Sequence, residues 1–327
     1  MKENTARLTS LSHGGGLLAG IFLVLLNSLT APAQQKPPFF SLPDTTVKER
    51  VWMLSGTTAV VYGSSLTVLS SAWYKGYSRS SFHFFNDARE WNQMDKAGHI
   101  FAAYLEGKYS REMWRWSGLP RKQQIWIGGL SGFAYQSVIE VLDGFSYKWG
   151  FSWSDMGANA IGSALLISQE LAWDEQRIQL KFSSHPKSYP EGPVREKADQ
   201  LFGHTFWERT LKDYNAQTYW VSVNLYSFHK NSTWLPRWLN MAVGYGAEGM
   251  YGGRDNTWTD AHGQHHDYNQ VRRIRQFYLS PDVDFTRIRT RKKGVRVLFQ
   301  VLNMMKFPAP ALEINSQGGV KLHPVYF

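Results

Sequence analysis

Cysteine is absent from the 327-residue chain, which excludes disulfides, thiol chemistry and thiolate metal ligation. It also leaves no thiol to accept an N-terminal lipid. Acidic residues are in deficit, 26 Asp and Glu against 36 Lys and Arg, giving a formal charge of +10. Such a balance suits a polyanion or an anionic membrane surface. P-loop, zinc-finger, Gly-x-Ser-x-Gly and dinucleotide fingerprints are missing, as is any internal repeat, which removes the common nucleotide and serine-hydrolase readings. Aromatic residues, by contrast, make up 15% of the chain, ample material for one large core or two modest ones.

Lys2 and Arg7 precede an apolar run over 17–26, and Ala31-Pro32-Ala33 then offers small residues where a signal peptidase reads. This predicts an export signal over 1–33, with an uncleaved anchor as the alternative. The expected location is the bacterial cell envelope, periplasmic and membrane-associated, with the outer membrane among the destinations. Membrane lipid or an envelope protein is the expected partner, and nucleic acid is not.

The chain reads as α+β. A linker over 34–47 leads into a helical bundle domain over 48–182, a second linker covers 183–193, and a helix followed by a β-rich antiparallel part fills 194–327. In the bundle, residues 51–74 carry no charge and are flanked by Trp52, Trp73 and Tyr74, a pattern shared by membrane spans and by buried helices. Three further helices are predicted over 92–116, 123–142 and 152–177, rich in small residues that permit close backbone approach. One surface helix is expected over 195–214. Strand patterns follow at 219–228, 241–251 and 276–285. The end of the chain resembles the last strand of an outer-membrane barrel, but Lys321 and His323 stand where lipid-facing apolar groups would be needed. A small sheet is therefore expected rather than a barrel. Basic residues over 287–296 lead into apolar positions at helical spacing, which fits either a helix lying on anionic lipid or a domain helix with a solvated basic end.

Costly polar groups recur inside the apolar helices. Asp95 and His99 are four apart on one helix; Gln136, Glu140 and Asp143 follow on the next; Asp155 and Asn159 are four apart on the third. Spacing of four puts each set on one face, and buried polar groups need partners, a metal or a wet cavity. We therefore expect the three faces to converge. His99, Asp95 and Glu140 are the candidate catalytic groups, Asp143, Asp155, Asn159 and Gln136 the candidate binding groups, and His99, Glu140 and Asp155 the candidate ligands of a divalent metal cofactor. Asn92 before Asp95 and Ser152 before Asp155 also fit capping-box spacing, which would make each Asp a helix-start residue. A weaker metal candidate is His262, His265 and His266, in a loop rich in Gly, Asn and Thr.

The stretches DKAGH at 95–99, IEVLDG at 139–144 and GFSWSDMGANAIG at 150–162 together resemble the YfiM-like family of predicted periplasmic lipoproteins, whose function is unknown. They are similar, more distantly, to the VanZ-like membrane proteins. The resemblance spans roughly a quarter of the chain and implies an envelope location and a helical architecture, without implying a reaction. The lack of cysteine departs from the lipoprotein pattern. The expected function is an exported envelope protein whose polar site serves binding or structure, with a membrane-surface hydrolase acting on a lipid or lipid-linked phosphate as the alternative.

Overall fold

The computed structural model describes residues 37–74 and 78–327; the expected export signal lies outside them. The chain divides into two compact units, Met1–Ser41 and Leu42–Phe327. In the first, Ser41 closes a turn onto the Pro38 carbonyl. Every element below belongs to the second, and the boundary expected at 183–193 falls inside it.

The fold is α+β, as the sequence indicates, with helices in the N-terminal half and an antiparallel sheet in the C-terminal part. Four long helices come first: α1 (Lys48–Tyr74), α2 (Met94–Trp116), α3 (Arg121–Asp143) and α4 (Trp153–Trp173). Glycine sets how closely the last three pack. A Cβ on Gly132 would lie 2.1 Å from the Ala103 carbonyl oxygen, and one on Gly162 2.3 Å from that of Ile100, so the backbones of α3 and α4 rest directly on α2. Helix α1 meets the bundle through Tyr62 and Ser65, both on Tyr135, while Trp52, Val60, Val61 and Val68 are exposed. Among the described residues, the helix long and apolar enough to cross a membrane is Arg121–Asp143; Ser, Thr and Gly dilute the segment over 51–74, for which the sequence leaves both a span and a buried helix open.

The start of α2 departs from expectation. Asn92 does not cap it. Trp91, Asn92 and Gln93 instead hold φ values of 50°, 49° and 63°, a strained left-handed run for residues bearing a Cβ. The run is pinned from outside: Trp91 N–H donates to the Gly253 carbonyl at 2.7 Å, Arg275 donates to Gln93 Oε1 at 2.7 Å, and the Tyr245 hydroxyl donates to the Asn92 carbonyl. The expected cap at Ser152 is present, its Oγ accepting from Asp155 N–H at 3.1 Å.

The sheet runs β1 (Ile178–Ser184), β2 (Gln217–Asn224), β3 (Leu239–Glu248), β6 (Ile274–Val283), β7 (Ala309–Asn315) and β8 (Val320–Tyr326), all antiparallel, with β4 (Thr257–Thr259) and β5 (His265–Asp267) forming a separate hairpin. The single helix expected over 195–214 is two, α5 (Pro193–Phe202) and α6 (Phe206–Lys212), because Gly203 at φ 84° breaks it and Thr205 with Glu208 forms a new capping box. Helix α7 (Lys293–Leu302) joins β6 to β7. The sheet is strongly curled: Thr218 Oγ1 on β2 lies 3.1 Å from the Tyr326 hydroxyl on β8, although three strands separate them. Trp220, Ala242, Tyr278 and Ala311 form the core inside the curl. A second core of Met94, Ala247 and Met250, with Tyr214 and Tyr245 beside it, fastens the start of α2 to the sheet.

Candidate functional site

Close packing of α2, α3 and α4 brings their polar faces together, as expected. His99 sits at the centre. Its Nε2 is 3.8 Å from Asp95 Oδ1, 3.7 Å from Glu140 Oε1 and 3.7 Å from Asp155 Oδ1, too far for hydrogen bonds yet close for four ionisable groups. On the other side of the ring, Nδ1 and Asn159 Oδ1 are 3.0 Å apart. An amide oxygen there accepts the Nδ1 proton, so Nε2 is the nitrogen that faces the three carboxyl groups and gains or loses the second proton.

Three participants carried no expectation. Lys96 Nζ lies 2.8 Å from Asp87, 2.9 Å from Asp95 and 2.7 Å from Asp155. Asp87 Oδ1 accepts from the hydroxyls of Ser152 and Ser154 at 2.6 and 2.7 Å. Tyr214, between α6 and β2, donates its hydroxyl to Asp95 Oδ1 at 2.7 Å. Lys96 belongs to the DKAGH stretch, where its type was visible; Asp87 and Tyr214 lie in connections with no helical periodicity to mark them. The capping box expected at Ser152 is only half formed, since the Ser152 N–H turns to Glu140 Oε2 at 3.3 Å. That turn frees Asp155 to face the cluster.

The remaining expected residues are placed differently. Gln136 points to Glu106, its Nε2 donating to Oε1 at 2.8 Å. Asp143 lines a cavity of about 680 Å³ into which Asp95, His99, Glu140 and Asp155 open and whose walls include Trp91, Trp149 and Phe202. His262 and His265 are exposed, and the strand pairing of β5 sends His265 and His266 to opposite faces. The buried His266 stacks on Trp258, and its Nε2 lies 2.9 Å from Asp260 Oδ2. Among the described residues, ligand atoms converge at Asp95, His99 and Asp155, all within 4.8 Å of one another, and not in the histidine hairpin.

Burial and mutual repulsion dominate the electrostatics. Burial pushes Glu140 up to about 8, and Asp155 and Asp143 add to the rise against His99. Burial, with the Asp95 charge, pushes Asp155 up to about 7. For His99 burial acts downward but is outweighed by Asp95, Asp155 and Glu140, which hold it above its ordinary value. Lys96 is likewise raised against burial by Asp95 and Asp155. Asp87, Asp95, Glu140 and Asp155 thus face Lys96 and one imidazole, an excess of acid in a buried place. Two polar atoms there have no assigned hydrogen-bond partner, Asn159 Nδ2 and Asp155 Oδ1; the latter forms an ion pair with Lys96 Nζ at 2.7 Å.

Fold and site together define an α+β protein with an acid-rich imidazole cluster inside a helical bundle that opens to a cavity. Residues 83–169 match the model of a family described as predicted periplasmic lipoprotein (DUF2279). The matched segment contains Asp87, Asp95, Lys96, His99, Glu140, Asp155 and Asn159, and stops short of Tyr214. The description is consistent with export to the cell envelope. No curated protein and no solved structure matches the chain.

Proposed function

We propose that the chain is a cell-envelope protein that holds a divalent cation at His99, Asp95 and Asp155, open to ligand from the cavity beside Glu140. The observation behind this reading is the position of His99 Nε2, 3.7–3.8 Å from three carboxyl oxygens, with Nδ1 committed to Asn159. Ligands of a tetrahedral ion at 2.0–2.1 Å stand roughly 3.4 Å apart; the imidazole is within a few tenths of an ångström of that spacing from each carboxylate, and the ligand atoms, all within 4.8 Å of one another, would draw together around the ion. Three protein ligands leave one position open toward the cavity. Similarity of the three motifs to VanZ-like membrane proteins supports a place at a membrane.

A second reading is hydrolysis of an ester or phosphoester, favoured by Glu140 standing beside the open position, where a carboxylate can take a proton from an attacking water. Metal content of the purified protein tests the first reading. About one zinc or manganese ion per chain is expected after loading and dialysis, lost in His99→Ala. In Asn159→Leu, affinity is expected to weaken by about 10- to 100-fold, the usual cost of removing a ligand-orienting partner. Equal metal content in the wild type and His99→Ala would leave the cluster as a structural ion-pair network centred on Lys96.

A further inference from the structure

One end of the sheet's outer face packs on α2 through Tyr219, Tyr245 and Ala247, but the rest of that face turns apolar side chains outward. Strand pairing sets Val221, Val243, Leu279, Leu312 and Leu322 in one row across β2, β3, β6, β7 and β8, and each is between 38% and 70% exposed. The next row on the same face, over β6, β7 and β8, is Phe277, Ile314 and Val320, also exposed. Neither row contains a charge. The opposite face, inside the curl, holds Lys181 and Asp282 in an ion pair of 2.7 Å with both side chains fully buried. Ser222 donates to Asp282 at 2.6 Å, and Asn240 to Ser222 at 2.9 Å. Lys321 and His323, the residues that argued against lipid contact, belong to this polar side: Lys321 pairs in register with Glu313, and His323 Nε2 lies 2.6 Å from Glu313 Oε2.

Water-soluble sheets bury the apolar face, whereas apolar outside and polar inside is the alternation of strands facing lipid. Charge at the end of the sheet points the same way. Helix α7, which connects β6 to β7, exposes Val297, Leu298, Val301 and Leu302. Arg289, Arg291, Lys292, Lys293 and Arg296 stand exposed at its start. Apolar side chains beside clustered cations form the pattern of a helix at an anionic lipid interface.

We propose that the part of the outer face of the β2-β3-β6-β7-β8 sheet left uncovered by α2 is a lipid-contacting surface, seated in the acyl layer of an anionic bilayer with α7 at the headgroups. The full chain should bind vesicles containing phosphatidylglycerol and float with them, and bind neutral phosphatidylcholine vesicles at least tenfold more weakly. Val243→Glu with Leu279→Glu should lower binding at least tenfold while the circular dichroism is unchanged. Because the chain has no cysteine, Val243→Cys and Leu322→Cys can each carry a single polarity-sensitive label without the risk of a charged pair unfolding the sheet. Both labels should shift to the blue with vesicles, and one at the exposed hairpin residue Gln264 should not. Absence of vesicle binding, or labels at 243 and 322 that stay in water when vesicles are bound, overturns the proposal. So does a lipid-free dimer abolished by the double glutamate variant, which would assign the face to a second copy.

Discussion

At the residue scale, Lys96 is the group on which the cluster's stability turns. It faces Asp87, Asp95 and Asp155 within 2.9 Å, so Lys96→Met leaves buried carboxylates without a counter-ion. A loss of about 3–5 kcal/mol is expected in urea unfolding at pH 7, smaller in acid as those carboxyls protonate. Glu106 gives a second titration, linked to the cluster through the charge of His99. Burial raises it to about 7 against the donor from Gln136, and its Oε2 is buried without a partner. A carboxyl raised in the fold binds its proton more tightly there than in the unfolded chain, so stability falls as pH climbs from about 4.5 through 7. Glu106→Gln should remove that slope and, above pH 7.5, stabilise by on the order of 2 kcal/mol. A wild-type and variant difference that does not change between pH 5 and 8 would refute this. Convergence of His99, Glu140 and Asp155 was legible because apolar helices expose a misplaced acid by contrast and their period fixes its face. Asp87 and Tyr214 were not, since a loop residue is placed by tertiary contact alone, and the turn of Gln136 toward Glu106 depends on a partner from another helix.

At the scale of elements, glycine decides whether the three faces can meet. Gly162→Ala would put its Cβ 2.3 Å from the Ile100 carbonyl oxygen and 3.0 Å from Tyr104 N, both backbone atoms, whereas a Cβ on Gly157, in the same helix, meets nothing within 4 Å. The first substitution should therefore destabilise by about 1–3 kcal/mol or more, since α2 and α4 must separate. The second should be neutral or stabilise by about 0.5–1 kcal/mol through helix propensity. Thermal unfolding of the pair checks both; similar losses would mean that the helices are not in contact where the structure puts them. These helices were readable from small-residue stripes and Gly-Pro boundaries. Strands β1 and β7 were not: β1 carries Gln179, Lys181 and Ser183 on its buried side, so polar groups sit inside and the pattern disguises which face is covered. The start of α2 escaped for another reason, because Asn92 offered a local cap while Gly253, Tyr245 and Arg275 impose a left-handed turn from a distance.

For the whole molecule, the consequence is that a site built on helices depends on the sheet. Asp95 is held by the Tyr214 hydroxyl, the turn before it by Tyr245 and Arg275, and the middle of α2 by Phe101, whose ring lies 5.8 Å from Phe182 on β1 and 5.7 Å from Tyr219 on β2. Residues Leu42–Phe327 form one compact unit, so helical and sheet parts should unfold together rather than in turn. Phe101→Ala removes the ring that joins the two layers, away from the ligand atoms. It should cost about 3–5 kcal/mol, lower the far-ultraviolet signal of the helices and the near-ultraviolet signal of the curled aromatic core at one common midpoint, and weaken metal retention only in proportion to the unfolded fraction. Two midpoints, with the sheet melting at its original temperature while the helices melt early, would show instead that the layers are energetically separate. The cluster around His99 would then owe nothing to the strands beneath it.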